Sequence, residues 1–361
     1  MRSRFNQDSA MRLTRRSAIA SALALSACGQ GAKSQPATST PLKSIASTPV
    51  GACVQHAFLQ DPAYAELFAR NYAQLTPEWE MKMEYILQDD GRFRFDRPDA
   101  IAEFARRNGI RLYGTTLVWY DQAMPAFLKL DGQGKRFADA YRNYILAVAG
   151  RYRGQAVGWD VVNETVADNG VDLRQSIWTR NLGVDEHMVL AFHHAKEADP
   201  NAVLFINDYH LENNPTKRAT FMRTVERLLK AGAPIGGIGT QSHLDLDFTR
   251  PGLCRTAVRE LAGFDLPIHV SELDISLGEK PDFSRLPDLR KRQADLTREL
   301  AGAYMDLPRE QRFAFTVWGL RDSDTWLHGP SGQRPTDQPL PFDAAGRPKP
   351  MFQALAETLS R

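Results

Sequence analysis

From residue 48 onward, short runs of Val, Ile, Leu and aromatic residues alternate with longer stretches whose apolar residues recur at helical spacing. The short runs, most of them bounded by Gly, Pro, Asn or Asp, predict eight strands, at 50–57, 72–76, 111–118, 156–162, 203–207, 235–241, 268–272 and 313–318. The longer stretches predict helices at 100–108, stopping at Gly109, and at 137–152, 185–198, 216–230 and 290–305. Strands alternating with helices call for parallel βαβ units. Eight such units fit one closed (β/α)8 TIM barrel, of the α/β class, better than an open doubly wound sheet. No GxGxxG follows the first strand, so a dinucleotide site has no support. In such a barrel the chemistry belongs at the C-terminal ends of the strands.

The segment before residue 48 has a different character. Met11 to Arg16 reads MRLTRR, a basic stretch with paired arginines, and 18–27 is a short apolar run, too short to span a bilayer. It ends Leu25-Ser26-Ala27-Cys28, which resembles a bacterial lipobox, while the paired arginines resemble a Tat signal. The expectation is a signal peptide at 1–27 removed on export, lipidation of Cys28, a flexible tether at 28–47 and a catalytic domain at 48–361. Residues 29–47 are rich in Ser, Thr, Ala, Pro and Gly and lack periodic apolar positions, as a tether does. The product would be a periplasmic or outer-membrane lipoprotein, a monomer that meets the membrane only through its lipid.

Composition narrows the function. The 361 residues include 45 Lys and Arg against 43 Asp and Glu, a balance that argues against a nucleic-acid partner. Beyond Cys28 only Cys53 and Cys254 remain, and these read as two buried thiols rather than a disulfide framework. No Cys/His spacing suggests a metal site.

The polar residues fall where the barrel rule places them. Glu78 and Lys82 follow strand two, Asn163 and Glu164 end strand four, and Asn207 and Asp208 end strand five. Gln241 and His243 close strand six, Glu272 and Asp274 strand seven, and Trp318 strand eight. Two glutamates on strands four and seven suit glycoside hydrolysis, in which one carboxyl protonates the leaving oxygen and the other attacks the anomeric carbon or activates water. An Asn just before the acid can bond a sugar 2-hydroxyl, a contact that strengthens in the transition state. Gln241 and His243 can hold the nucleophile ionised and turned, and Asp274, two residues beyond Glu272, can orient His243. Trp119, Trp318 and Trp326 can stack on sugar rings.

These runs resemble glycoside hydrolase family 10, the endo-β-1,4-xylanase family. Trp159-Asp160-Val161-Val162-Asn163-Glu164 is similar to its acid/base signature and Val270-Ser271-Glu272-Leu273-Asp274 to its nucleophile strand. Phe205-Ile206-Asn207-Asp208-Tyr209, Gln241-Ser242-His243, Phe315 to Gly319, Asp322 to Trp326 and Pro339 to Pro350 resemble further segments, in the family's order. The resemblance implies Glu164 as acid/base and Glu272 as nucleophile, with Asn163, Gln241, His243 and Asp274 in support. It implies substrate contacts at Glu78, Lys82, Trp119, Asn207, Tyr209, Trp318 and Trp326, no cofactor and no metal, and β-1,4-linked xylan or xylooligosaccharide as substrate. The chain departs from the pattern on the glycone side. Trp79 stands where the family has Asn, and Thr115 and Tyr120 where it has His. Three expectations stay open: a retaining xylanase, a retaining β-glycosidase of shifted specificity for decorated xylooligosaccharides or aryl or terpenoid glycosides, and a lipid-anchored xylan-binding protein with negligible turnover.

Overall fold

The computed structural model describes residues 40–361. The expected signal peptide and Cys28 lie outside them. Nine strands form: β1 (Val50–Val54), β2 (Gln74–Pro77), β3 (Arg111–Trp119), β4 (Ala156–Asn163), β5 (Val203–Asp208), β6 (Gly237–Thr240), β7 (His243–Asp245), β8 (Ile268–Ser276) and β9 (Arg312–Val317). Every pairing between them is parallel. The order runs β6-β5-β4-β3-β2-β1-β9-β8, and β6 also pairs with β8, so eight strands close on themselves. The extra strand, β7, was not expected. It follows β6 after a two-residue break and pairs only with β8.

A helix covers each barrel strand. Asp96–Arg107, Lys135–Arg151, Glu186–Ala198, Pro215–Lys230 and Leu286–Met305 match the five expected helices within a few residues, and Pro62–Asn71, Leu253–Leu261 and Pro350–Leu359 complete the ring. Pro62 opens its helix behind Asp61, whose side chain accepts the Ala63 N–H; Asn214 and Pro215 do the same for theirs through the Lys217 N–H. Strands covered on both sides are buried on both faces, as β8 is at all nine positions. Inside the barrel, Tyr113, Phe205, His269 and Phe313 pack ring against ring at centroid distances of 4.5–5.8 Å, which makes the lumen a packed core rather than a channel. Outside it, Gly114 lies against Trp159, where an added Cβ would come within 2.2 Å of the indole.

The domain begins before residue 48, earlier than its composition suggests. Leu42–Ile45 forms a helical turn, Leu42 is fully buried, and the Ser47 N–H donates to Leu359 O at 2.8 Å. One apolar side chain in a Ser/Thr/Pro-rich segment carries no periodicity, so this docking was invisible to pattern reading. Among the described residues no helix is long and apolar enough to cross a membrane. Cys53 and Cys254 are free, buried thiols.

Candidate active site

The expected polar residues converge at the C-terminal rim. Register shifts on β4, two against β3 and one against β5, re-aim the end of the strand. Glu164 follows with φ +59°, a left-handed conformation that only surrounding structure can hold in a residue other than Gly. Its N–H donates to Asn207 O at 2.8 Å. The Gln241 N–H donates to Asp208 O, and the Glu272 N–H to Gln241 O, both at 3.0 Å. Backbone hydrogen bonds thus chain β4, β5, β6 and β8 together where Glu164 and Glu272 emerge.

One amide network joins the two carboxylates. Gln241 Nε2 donates to Glu164 Oε1 at 2.9 Å and to Asn163 Oδ1 at 3.2 Å. Asn207 Nδ2 donates to the same Asn163 oxygen at 3.0 Å and to Glu272 Oε1 at 2.9 Å. Asn207 Oδ1 accepts from Ser271 Oγ at 2.8 Å. Asn207 is fully buried, and these hydrogen bonds make it a brace between strands. The register explains this, because Asn163 lies directly beside Asn207 and Asn207 beside Gly239. An added Cβ on Gly239 would come within 2.4 Å of Asn207 Oδ1.

The surroundings of the two glutamates differ in kind. Among the described residues Glu164 makes no ion pair. It accepts Trp119 Nε1–H at 2.7 Å, and burial, reinforced by the nearby Asp208 and Glu272 charges, raises its pKa against the hydrogen bonds from Gln241 and Trp119. Glu272 faces His243, with Nε2 3.4 Å from Oε2, while His243 Nδ1 lies 2.9 Å from Asp274 Oδ2. Burial opposes a charge on His243, but Asp274 and Glu272 outweigh it and raise its pKa to about 10. Trp326 Nε1 donates to the same Asp274 oxygen at 2.7 Å, so that oxygen is held by both rings.

Tryptophans wall the site. The Lys82 ammonium sits 4.9 Å from the Trp119 ring centroid and 6.0 Å from that of Trp318. Trp318 and Trp326 flank His243 at 6.3 and 5.3 Å. Burial pushes Glu78 up to about 7 against Gln55 and Lys82, which favour its charge. The three departures on the glycone side occupy different depths. Trp79 is half-buried, edge-on to Tyr85 at 4.9 Å. Thr115 is buried beneath the cleft and hydrogen-bonds Asp160. Tyr120 carries the Arg174 guanidinium 3.9 Å from its ring centroid. Arg174 also hydrogen-bonds Asp168 and the Tyr209 hydroxyl, so Tyr209 belongs to a cluster spanning the β3, β4 and β5 loops.

Pattern reading missed several residues. Asp160 is buried, accepts Tyr113 O–H at 2.6 Å, and is pushed to about 8 by burial and then by Glu272. Its signal was present: an acid inside a strand buried on both faces. Lys217 pairs with buried Asp208 at 2.8 Å, and Arg174 comes from a loop with no pattern at all. Among the described residues no cluster of three or more His, Cys, Asp or Glu is placed to hold a metal ion.

A closed parallel barrel with two facing glutamates at its C-terminal rim, ringed by tryptophans, is the architecture of a (β/α)8 glycoside hydrolase. Comparison makes the class specific. The family model for glycosyl hydrolase family 10 matches residues 42–358, and the chain belongs to that family. It is 36% identical over 315 residues to endo-1,4-beta-xylanase B of Paenibacillus barcinonensis, covering 84% of this chain and 93% of that protein. It is 36% identical over 318 residues to the endo-1,4-beta-xylanase of Geobacillus stearothermophilus, with 84% and 93% covered. A solved thermostable mutant of the Cellvibrio japonicus xylanase Xyn10A superposes with a TM-score of 0.81 at 30% identity, over 89% of this chain and all of that one.

Proposed function

We propose that the chain is a retaining endo-β-1,4-xylanase that cleaves xylan or xylooligosaccharides by double displacement. The observation that carries this reading is the asymmetry between the two glutamates. Glu272 lies against a charged His243 and accepts an Asn207 N–H, contacts that hold one of its oxygens each and turn it toward the cleft as a nucleophile must be. Glu164 has no ion-pair partner among the described residues and burial raises its pKa, which favours the protonated form a general acid needs. Glu272 attacks the anomeric carbon while Glu164 passes its proton to the departing glycosidic oxygen. Water then loses a proton to Glu164, attacks the same carbon and releases the Glu272 carboxylate. Asn163, whose Nδ2 donates to Glu164 Oε1 at 3.2 Å, stands beside the acid where a sugar 2-hydroxyl would bind in this scheme, and Trp119, Trp318 and Trp326 would exclude water around it.

Trp79, Thr115 and Tyr120 favour a second reading, a glycone site reshaped for decorated chains or aryl glycosides. Both readings are tested on linear β-1,4-xylohexaose, with products resolved by size and by anomer in proton NMR. Xylobiose and xylotriose, released first as the β-anomer, are expected. Release of the α-anomer first would sink the double-displacement scheme. A folded protein that leaves xylohexaose intact but cleaves a decorated or aryl xyloside would favour the second reading. No turnover on any of these, in a protein that binds xylan, would make it a binding protein. The export reading, with Cys28 as the lipidated first residue of a monomeric periplasmic or outer-membrane protein, is tested by labelling cells with a fatty-acid probe. Label that persists in a Cys28→Ala variant would refute it.

A further inference from the structure

Glu212 lies on the loop after β5, outside the cleft, and is fully buried. Among the described residues it makes no ion pair. One of its oxygens accepts both the Thr240 and the Ser242 hydroxyls, each at 2.5 Å, and the other has no partner. A carboxyl buried without a cation costs free energy, and an apolar side chain would fill the same space at lower cost. What distinguishes Glu212 is what it grips. Thr240 ends β6, and Ser242 occupies the break between β6 and β7 with φ +59°, a conformation that is strained for serine. Between and beyond these two outward-facing residues, Gln241 and His243 face the cleft. Gln241 holds Glu164 and Asn163, and His243 holds Glu272 and Asp274.

We propose that Glu212 is a positioning residue for the proposed reaction: its carboxyl clamps the strand break from behind and thereby aims Gln241 and His243 at the two glutamates. The clamp acts on both carboxylates at once because the two inward side chains flank a single anchored peptide. The inference rests on the reading of Glu164 and Glu272 given above.

The experiment compares Glu212→Leu with Glu212→Gln in the otherwise intact protein, with Glu272→Ala in parallel. Kinetics are measured across pH on an aryl β-xylobioside, and melting temperature is recorded for each variant. In Glu212→Leu, kcat/KM is expected to fall about 10- to 100-fold, the scale of a small misplacement of catalytic groups. The acid limb of its pH profile is expected to move upward as His243 loses its aim. Glu212→Gln keeps an acceptor oxygen for both hydroxyls, and its kcat/KM is expected to stay within about threefold of the parent with an unshifted profile. A purely structural role would lower the melting temperature of both variants while leaving the profile of the folded enzyme in place, and that result would overturn the proposal. So would a folded Glu212→Leu with parent kinetics. Should Glu212→Leu fail to fold, the Thr240→Val, Ser242→Ala pair removes the same two hydrogen bonds and carries the same expectations. Full turnover by Glu272→Ala would instead defeat the catalytic reading and leave the clamp without its object.

Discussion

Replacing Asn207 by alanine removes the one side chain that bonds both Asn163 and Glu272. Its amide donates to Glu272 Oε1 at 2.9 Å and to Asn163 Oδ1 at 3.0 Å, in a fully buried setting. A hydrogen bond to a charged group contributes about 1.5–3 kcal/mol. At about 1.4 kcal/mol per tenfold in rate, its loss is expected to lower kcat/KM by about 10- to 100-fold. Asn207→Asp sharpens the test. It keeps the shape but replaces the N–H donor by an acceptor-only carboxylate facing the Glu272 oxygen, so its kcat/KM is expected to fall below that of the alanine variant. The assay is kcat/KM on an aryl β-xylobioside from about pH 4 to about pH 9, with melting curves to show that each variant is folded. A folded Asn207→Ala with the parent's kcat/KM would refute the brace, as would an Asn207→Asp more active than Asn207→Ala.

Three further outcomes follow from the same geometry. His243 is raised from 6.5 to about 10, so its contribution to stability is complete below about pH 6.5 and is lost as pH rises through about 10. The melting-temperature deficit of His243→Asn is expected to be large near pH 6 and to shrink toward pH 10; a constant deficit would show that the charge is not the cause. Asp160 is raised from 3.8 to about 8, so its contribution is complete below about pH 4 and is lost as pH rises through about 8. The melting temperature of Asp160→Asn relative to the parent should therefore climb between about pH 4 and pH 8 and then level off, whereas a difference independent of pH would contradict the assignment. Gly239→Ala sets a methyl 2.4 Å from Asn207 Oδ1 and should cost about 1–3 kcal/mol by overpacking. Chemical denaturation measures that cost, and the variant's kcat/KM should fall in the direction of Asn207→Ala; a stable variant with parent kinetics would show that the backbone gives way there.

The barrel was legible because its strands are buried on both faces and its longer helices repeat an apolar stripe several times. The helices that escaped pattern reading, Pro62–Asn71, Leu253–Leu261 and Pro350–Leu359, run nine or ten residues and offer fewer than three turns of periodicity. Capping chemistry could have recovered the first, where Asp61 precedes Pro62 as cap and opener. The split of β6 from β7 had no such signal. Ile235 to Thr240 reads as one run of small and apolar residues, and no Gly or Pro marks a break where it passes into Gln241 and Ser242. The break at Gln241-Ser242 is held by hydroxyl contacts to Glu212, a residue on another loop about thirty positions away.

Asn207 shows where such reading of the site stops. Alternation along β5 places Phe205 and Asn207 on the inward side, and a polar side chain facing inward at a strand end has two possible partners, a bound sugar or a neighbouring strand. Nothing local decides between them. The choice is made by register: Asn163 stands beside Asn207 on one side and Gly239 on the other. The Asn163 side brings an amide oxygen within 3.0 Å, and the Gly239 side leaves room for the brace because it has no Cβ. Register between β4, β5 and β6 depends on loops and helices of some forty residues, so it belongs to the whole barrel rather than to any window of the chain. Residues that carry charge at the rim can be found one strand at a time, whereas those that aim the charges exist only as relations between strands.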